Sequence, residues 1–216
     1  MAEPFEVRPL LAQPTPPPYE PLQVHPRVFT GPQCDRIVEL GCSLPSDAAA
    51  LEGEEGEATN DPSLRSSRTS WIPVRDDTEW IYRKLATVAE RANRRYRFEL
   101  TGFSEDLQFT TYDHPGAFYT WHQDGLDGTV GHRKLSLVVQ LSDPGCYTGG
   151  DLELFATSPD PCADPQAEPP ATDELAAARE RGTVLVFPSF EFHRVRPLRS
   201  GVRHSLVCWV SGPPFR

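Results

Sequence analysis

Residues 118–125 read Phe118-Tyr119-Thr120-Trp121-His122-Gln123-Asp124-Gly125. Aromatic and β-branched residues up to His122 predict a strand, and the glycine after Asp124 predicts its end in a turn. Side chains two apart on a strand leave the same face, so His122 and Asp124 point together. A third ligand must come from elsewhere in the chain. The segment Phe192-His193-Arg194-Val195, just after the apolar run from Val184 to Phe187, supplies a second imidazole. Two imidazoles and one carboxylate on one face leave three of six coordination positions open, the pattern that suits iron(II) with a chelating co-substrate and oxygen.

Outward from this stretch the chain keeps a β-rich character. Short alternating or β-branched runs cover Leu107 to Tyr112, Ala117 to His122, Lys134 to Leu141, Asp151 to Phe155, Thr183 to Phe187, Glu191 to Val195 and Val202 to Val210. Seven such runs punctuated by Gly, Pro and Asp predict a sandwich or jelly-roll barrel. Gly149-Gly150 reads as turn chemistry, because neither a helix start nor a lysine follows to make a phosphate loop. His114-Pro115-Gly116 marks a loop over the site.

The first half differs. A helix is expected from Gly31-Pro32-Gln33 through Leu40, with proline in its first turn and Cys34, Ile37 and Val38 on its apolar side. A longer one is expected from Asp76 to Arg97, carrying Trp80, Ile81, Leu85, Val88 and Ala92 on one side. A strand is expected over Ser67 to Val74, and the Ala-, Gly- and Glu-rich segment Ser46 to Pro62 reads as a mobile loop. The resulting fold class is mainly β with flanking helices, α+β. Its expected parts are a proline-rich tail over 1–22, a helical support region with the first strand over 23–103, and a jelly-roll domain over 104–216. Within the last, the proline-rich segment 156–173 reads as a surface insertion.

Composition narrows the function. At 216 residues one well-buried core is the default. The hydrophobic share is 38%, and no apolar run approaches the roughly 18–20 residues of a membrane span. Residues 1–13 lack the apolar centre of a secretory signal, which points to the cytoplasm. A formal charge of -10 disfavours phosphate backbones, so no nucleic-acid partner is expected; Arg91, Arg94, Arg95 and Arg97 read as a solvated helix face. The five cysteines, without any C-x-x-C pair, read as reduced, structural thiols. His25, His114, His132 and His204 have no partner at ligand spacing and stay unassigned. Oligomeric state carries no signal.

Ten residues beyond His193 stands Arg203, in Gly201-Val202-Arg203-His204-Ser205-Leu206. A guanidinium fork grips a carboxylate through two parallel hydrogen bonds, and Ser205 shares its face of the strand and adds a hydroxyl. His-x-Asp, a distant His and Arg-x-Ser together resemble the 2-oxoglutarate- and iron(II)-dependent dioxygenases, in particular the prolyl-hydroxylase-like branch. The matching stretches are Tyr112 to Asp124, Gly149 to Phe155 and Gly182 to Pro213, with a weaker match at Arg68 to Trp71. The resemblance implies a double-stranded β-helix, metal at His122, Asp124 and His193, and 2-oxoglutarate at Arg203. It implies hydroxylation of an unactivated carbon on a small molecule or peptide, such as a prolyl residue, with succinate and carbon dioxide released. Dioxygen is the second co-substrate and ascorbate (vitamin C) a candidate accessory. Asp124 argues against the halogenating relatives, in which a small residue replaces the carboxylate.

Further positions follow from the resemblance. Tyr112 matches a tyrosine of the co-substrate pocket, though a core tyrosine is an equal reading. Trp209 matches an aromatic near the substrate, against ordinary packing on a terminal strand. Arg68 and Trp71 match an element that bounds the substrate mouth, against a plain edge strand. Zinc accepts the same His and Asp ligands, so a non-catalytic jelly-roll module that binds metal or senses is the alternative.

Overall fold

Apolar residues on alternate positions decide the largest sheet. The computed structural model describes residues 19–48, 51–52, 58–59, 61–126, 128–166 and 172–214. In chain order its strands are β1 Gln23–His25, β2 Asp47–Ala48, β3 Leu51–Glu52, β4 Ala58–Thr59, β5 Arg65–Ser66, β6 Arg68–Ile72, β7 Leu107–Tyr112, β8 Phe118–His122, β9 Arg133–Gln140, β10 Tyr147–Gly149, β11 Leu152–Leu154, β12 Val184–Pro188, β13 His193–Val195, β14 Leu198–Gly201 and β15 Arg203–Ser211. The helices are α1 Gly31–Ser43, α2 Glu79–Tyr96 and α3 Asp173–Arg179. Seven strands form a major sheet in the order β1-β12-β9-β15-β7-β6-β2, and four form a minor sheet, β11-β13-β8-β5. All pairings are antiparallel. This is the jelly-roll architecture.

Each central strand of the major sheet divides its residues between two faces. Leu107 and Phe109 of β7, Leu135, Leu137 and Val139 of β9, Val184 and Val186 of β12, and Leu206, Cys208 and Val210 of β15 join one apolar cluster with Ile37 of α1 and Ile81, Leu85, Val88 and Ala92 of α2. The intervening residues face the barrel interior, so the sheet is buried on both sides and β9 is buried along its whole length. Helix α1 comes close enough that a Cβ on Gly41 would lie 2.3 Å from the Phe109 ring. Glycine is what permits that contact.

Local signals set the helix ends. The Gln33 side chain accepts the Thr30 N–H at 3.0 Å, and Thr172 Oγ1 accepts the Leu175 N–H at 3.1 Å, each satisfying a donor left free near a helix start. At the end of α2, Arg97 turns left-handed with φ 59°. Asn93 holds that turn from both sides, accepting Phe98 N–H and donating to Phe98 O, each at 2.9 Å.

Strand and helix limits differ from expectation mainly at ends, and eight elements were unexpected: β1, β2, β3, β4, β5, β10, β14 and α3. All but the last are strands of two to four residues that owe their existence to a partner rather than to their own pattern. The segment expected as a loop, Ser46 to Pro62, contains β2, β3 and β4, while 49–50, 53–57 and 60 lie outside the described residues. Residues 1–18 of the proline-rich tail and 167–171 of the expected insertion also lie outside them. The described part of the insertion is tied to the barrel, since Arg196 donates to Asp164 O at 2.9 Å and Arg199 to Gln166 O at 2.8 Å. All five cysteines are free, but only Cys34 and Cys208 are buried; Cys42, Cys146 and Cys162 are exposed, because their neighbours are loop and helix-end residues rather than core. Among the described residues no helix is long and apolar enough to cross a membrane.

Candidate metal centre

Strands of both sheets, β5, β8 and β13 of the minor and β7, β9 and β15 of the major, deliver polar groups to one cavity of about 340 Å³. The β8–β13 pairing places His122 directly across from His193. Beyond β8 the chain turns, and both Asp124 N and Gly125 N donate to Ser189 O at 2.9 Å, which fixes the Asp124 side chain toward the same point. One ligand atom from each of His122, Asp124 and His193 falls within 4.8 Å of the others. His122 Nε2 lies 3.6 Å from Asp124 Oδ1, and His193 Nε2 lies 3.5 Å from Oδ2.

The tautomers follow from the backbone. His122 Nδ1 lies 2.8 Å from Thr120 O, and His193 Nδ1 lies 2.9 Å from Glu191 O. A carbonyl oxygen only accepts, so each Nδ1 carries the proton and each Nε2 presents its lone pair to the centre. Burial, then the neighbouring His193, holds His122 well below the usual histidine pKa. Burial alone would raise the Asp124 pKa. The two imidazoles, the Ser136 hydroxyl and the Trp209 indole outweigh it and bring the carboxyl to about 2. Two bare imidazole nitrogens and one ionised carboxylate form a donor set that fits a divalent metal with open positions.

The expected anchor lies on the opposite wall. Arg203 of β15 is 1% exposed and stands across from Tyr112 of β7, its guanidinium 5.3 Å from that ring. Nη2 donates to Gln140 Oε1 at 3.0 Å, whereas Nε and Nη1 are buried without a partner. Two unanswered donors on one guanidinium are what the distal carboxylate of 2-oxoglutarate would satisfy. Ser205 and Tyr112 line the same cavity, and neither hydroxyl has a hydrogen bond among the described residues.

The remaining expected residues divide. Trp209 lines the cavity, its indole 3.8 Å beneath the Arg133 guanidinium and its N–H among the groups that lower the Asp124 pKa. Trp71 is 44% exposed at the cavity mouth, 6.3 Å from Trp209. Arg68 lies outside this cavity, beside a second, more open depression, and its guanidinium is paired with Asp113 at 2.5 Å.

Several contributors were not foreseen. Ser136 donates to Asp124 Oδ2 at 2.6 Å and lies 3.0 Å from Ser189 Oγ. A polar residue at an inward position of the apolar run Leu135 to Val139 was the available signal. Arg133 donates to Asp124 O at 3.1 Å and to Glu105 Oε1 at 2.7 Å. Tyr119 stacks on His122 with 3.4 Å between ring centroids, and the Arg65 guanidinium lies 4.5 Å from the Tyr119 ring. No sequence signal marks Arg65, because only the pairing of two-residue β5 with β8 brings it here.

Comparison with known proteins agrees with this geometry. Residues 107–211 match the sequence profile of the 2OG-Fe(II) oxygenase superfamily. A PKHD-type hydroxylase of Synechococcus elongatus is 34% identical over 141 residues, 62% of this chain and 56% of the relative. The chain thus spans little more than half the length of that relative. Among solved structures, a Pseudomonas putida prolyl-4-hydroxylase superposes with a TM-score of 0.59 at 20% identity, over 89% of this chain and 93% of that one. A prolyl hydroxylase from Trichoplax adhaerens, in complex with a hypoxia inducible factor peptide fragment, gives 0.62 at 15% identity, over 88% and 83%. The structural likenesses concern the fold, and the profile match covers the strands that carry all three candidate ligands and Arg203. Over residues 107–211, this chain is similar to the 2OG-Fe(II) oxygenase superfamily.

Proposed function

We propose that the protein is an iron(II)- and 2-oxoglutarate-dependent dioxygenase that hydroxylates an unactivated carbon, with His122, Asp124 and His193 as metal ligands. The single observation that carries this is the meeting, in one cavity, of a three-donor metal site and a buried guanidinium with two unanswered donors. Arg203 would hold the distal carboxylate of 2-oxoglutarate, with Ser205 and Tyr112 contributing hydroxyls. When bound, iron(II), 2-oxoglutarate and dioxygen supply the oxidative chemistry, in which the keto acid yields succinate and carbon dioxide and one oxygen atom goes to the substrate. Ascorbate serves as accessory reductant.

The chain's own residues do the rest. Asp124 stays ionised, and His122, held well below the usual histidine pKa, stays neutral, which keeps both in their metal-binding form through neutral pH. Trp71 and Trp209 wall the mouth, where closure over a substrate would exclude water from the reactive centre. The curated relative is named a hydroxylase and one structural neighbour carries a peptide, which supports an amino acid or peptidyl substrate.

Anaerobic reconstitution tests the reading. Iron(II) and 2-oxoglutarate together should give a weak visible charge-transfer band that zinc cannot produce, and Asp124→Ala or His193→Ala should lose both the band and succinate formation. Full turnover by either variant would sink the assignment.

A further inference from the structure

Arginine pairing separates two residues of this protein from the others near the site. Arg133 is held by Glu105, Arg194 and Arg196 by Glu153, Arg179 by Asp151, Arg181 by Asp35 and Arg68 by Asp113. Among the described residues Arg203 and Arg65 line the cavity with no carboxylate at ion-pair distance. Arg65 is 6% exposed. Its Nε donates to Ser67 Oγ at 2.9 Å and its guanidinium lies over Tyr119, but Nη1 and Nη2 have no hydrogen-bond partner among the described residues.

Burying a guanidinium is unfavourable unless an anion or a full set of acceptors compensates. A cation–π contact and one hydroxyl compensate in part. This chain has 31 acidic residues and sets one beside most of its buried arginines, yet none beside Arg65. The two unanswered guanidinium groups also come from different walls, Arg203 from the major sheet and Arg65 from the edge of the minor sheet. Arg65 lies 4.5 Å from the Tyr119 ring, and Tyr119 stacks on His122, so a single aromatic ring links Arg65 to a candidate metal ligand.

We propose that Arg65 binds the carboxylate of the primary substrate, so that the cavity takes two carboxylic acids: 2-oxoglutarate on Arg203 and a compact free acid of the amino-acid class on Arg65. This rests on the oxygenase reading above. A cavity of about 340 Å³ suits two small molecules, and Leu152, Val195, Trp71 and Trp209 give it apolar wall for a carbon skeleton. A planar fork held by Ser67 and the Tyr119 ring is preorganised for two parallel hydrogen bonds to a carboxylate, and loses them when the partner is an amide.

The test compares acids with amides. The full chain, loaded with zinc(II) and 2-oxoglutarate so that nothing turns over, is titrated calorimetrically with the proteinogenic L-amino acids, their α-carboxamides and N-acetylated tetrapeptides ending in the same residues. At least one free acid should bind at least tenfold more tightly than its amide and its peptide. Arg65→Gln should bring acid and amide within twofold of each other, while Arg65→Lys keeps part of the preference. Because the acid-to-amide ratio is taken within each protein, a general loss of stability does not mimic the result. Equal binding of acid and amide by the unaltered chain, or a preference that survives Arg65→Gln, would overturn the proposal. Equal binding of the peptides would overturn the assignment to a free acid. The ratio is read without turnover, so failure of the iron(II) protein to make succinate with any compound counts against the oxygenase reading alone.

Discussion

The two faces of β15 differ at every step along one strand. Leu206, Cys208 and Val210 lie in the apolar cluster beneath α1 and α2, while Arg203, Ser205, Val207 and Trp209, each one residue away, line the cavity. The outward face satisfies itself through dispersion and burial. The inward face keeps a buried guanidinium with two unanswered donors, Nε and Nη1 of Arg203. Such groups cost stability and persist only where something other than stability holds them. A strand of period two lets both demands sit side by side with little interference, because substitutions on one face do not touch the other.

The largest expected effect breaks the inward face. Arg203→Met keeps the length of the side chain and removes the charge. The 2-oxoglutarate requirement for succinate release should rise by about 10²-fold or more, the scale for deleting one partner of a buried charged pair. Thermal stability should hold or increase, since a half-satisfied buried charge has gone. Leu206→Ala is the reverse experiment. It should cost about 2–5 kcal/mol in denaturant unfolding, yet leave the 2-oxoglutarate requirement within about twofold. If Arg203→Met unfolds the protein as readily as Leu206→Ala, the division of labour between faces is wrong.

Legibility in the sequence followed the same division. Long strands with alternating or continuous apolar residues, such as β7 and β9, announced themselves within a residue or two, because periodicity is a local property. The three candidate ligands and Arg203 were legible for another reason, that a few residue types at fixed spacing carry a chemistry. Arg65, Ser136 and Glu105 were not. Their roles depend on which strand lies beside which, as when β5 pairs with β8 and sets Arg65 across from Tyr119. Arg68 is the converse case, where a matching pattern locates the strand and its pairing with Asp113 turns the side chain to other work.

A smaller effect sharpens the comparison within the inward face. Ser136 is fully buried, and its hydroxyl holds Asp124 Oδ2 at 2.6 Å. Groups behind a ligand orient it, and their loss weakens metal binding by roughly 10–100-fold. Ser136→Ala should reduce iron(II) affinity on that scale in a competition titration, with the 2-oxoglutarate requirement little changed at saturating metal. The same change in both would mean that the metal and Arg203 halves of the cavity are not separable.

The smallest effect concerns arginines that are fully answered. Glu153 of β11 stands across from Arg194 of β13, accepts Arg194 Nε at 2.7 Å and Arg196 Nη1 at 3.0 Å, and also takes the Ser158 hydroxyl. Burial would raise its pKa; the hydroxyl and the two guanidinium groups outweigh burial and lower it. A carboxyl whose pKa is depressed on folding contributes stability above its unfolded value, near 4.3, and loses that contribution as pH falls through the folded value. Glu153→Gln should therefore be less stable than the unaltered protein at pH 7, by roughly 1–2 kcal/mol, with the gap closing as pH falls below about 4. Taking the difference between the two proteins cancels the titration of every other carboxylate. A gap that stays constant to pH 3 would mean that Glu153 acts through shape rather than charge, and the contrast between answered and unanswered arginines would lose its electrostatic basis.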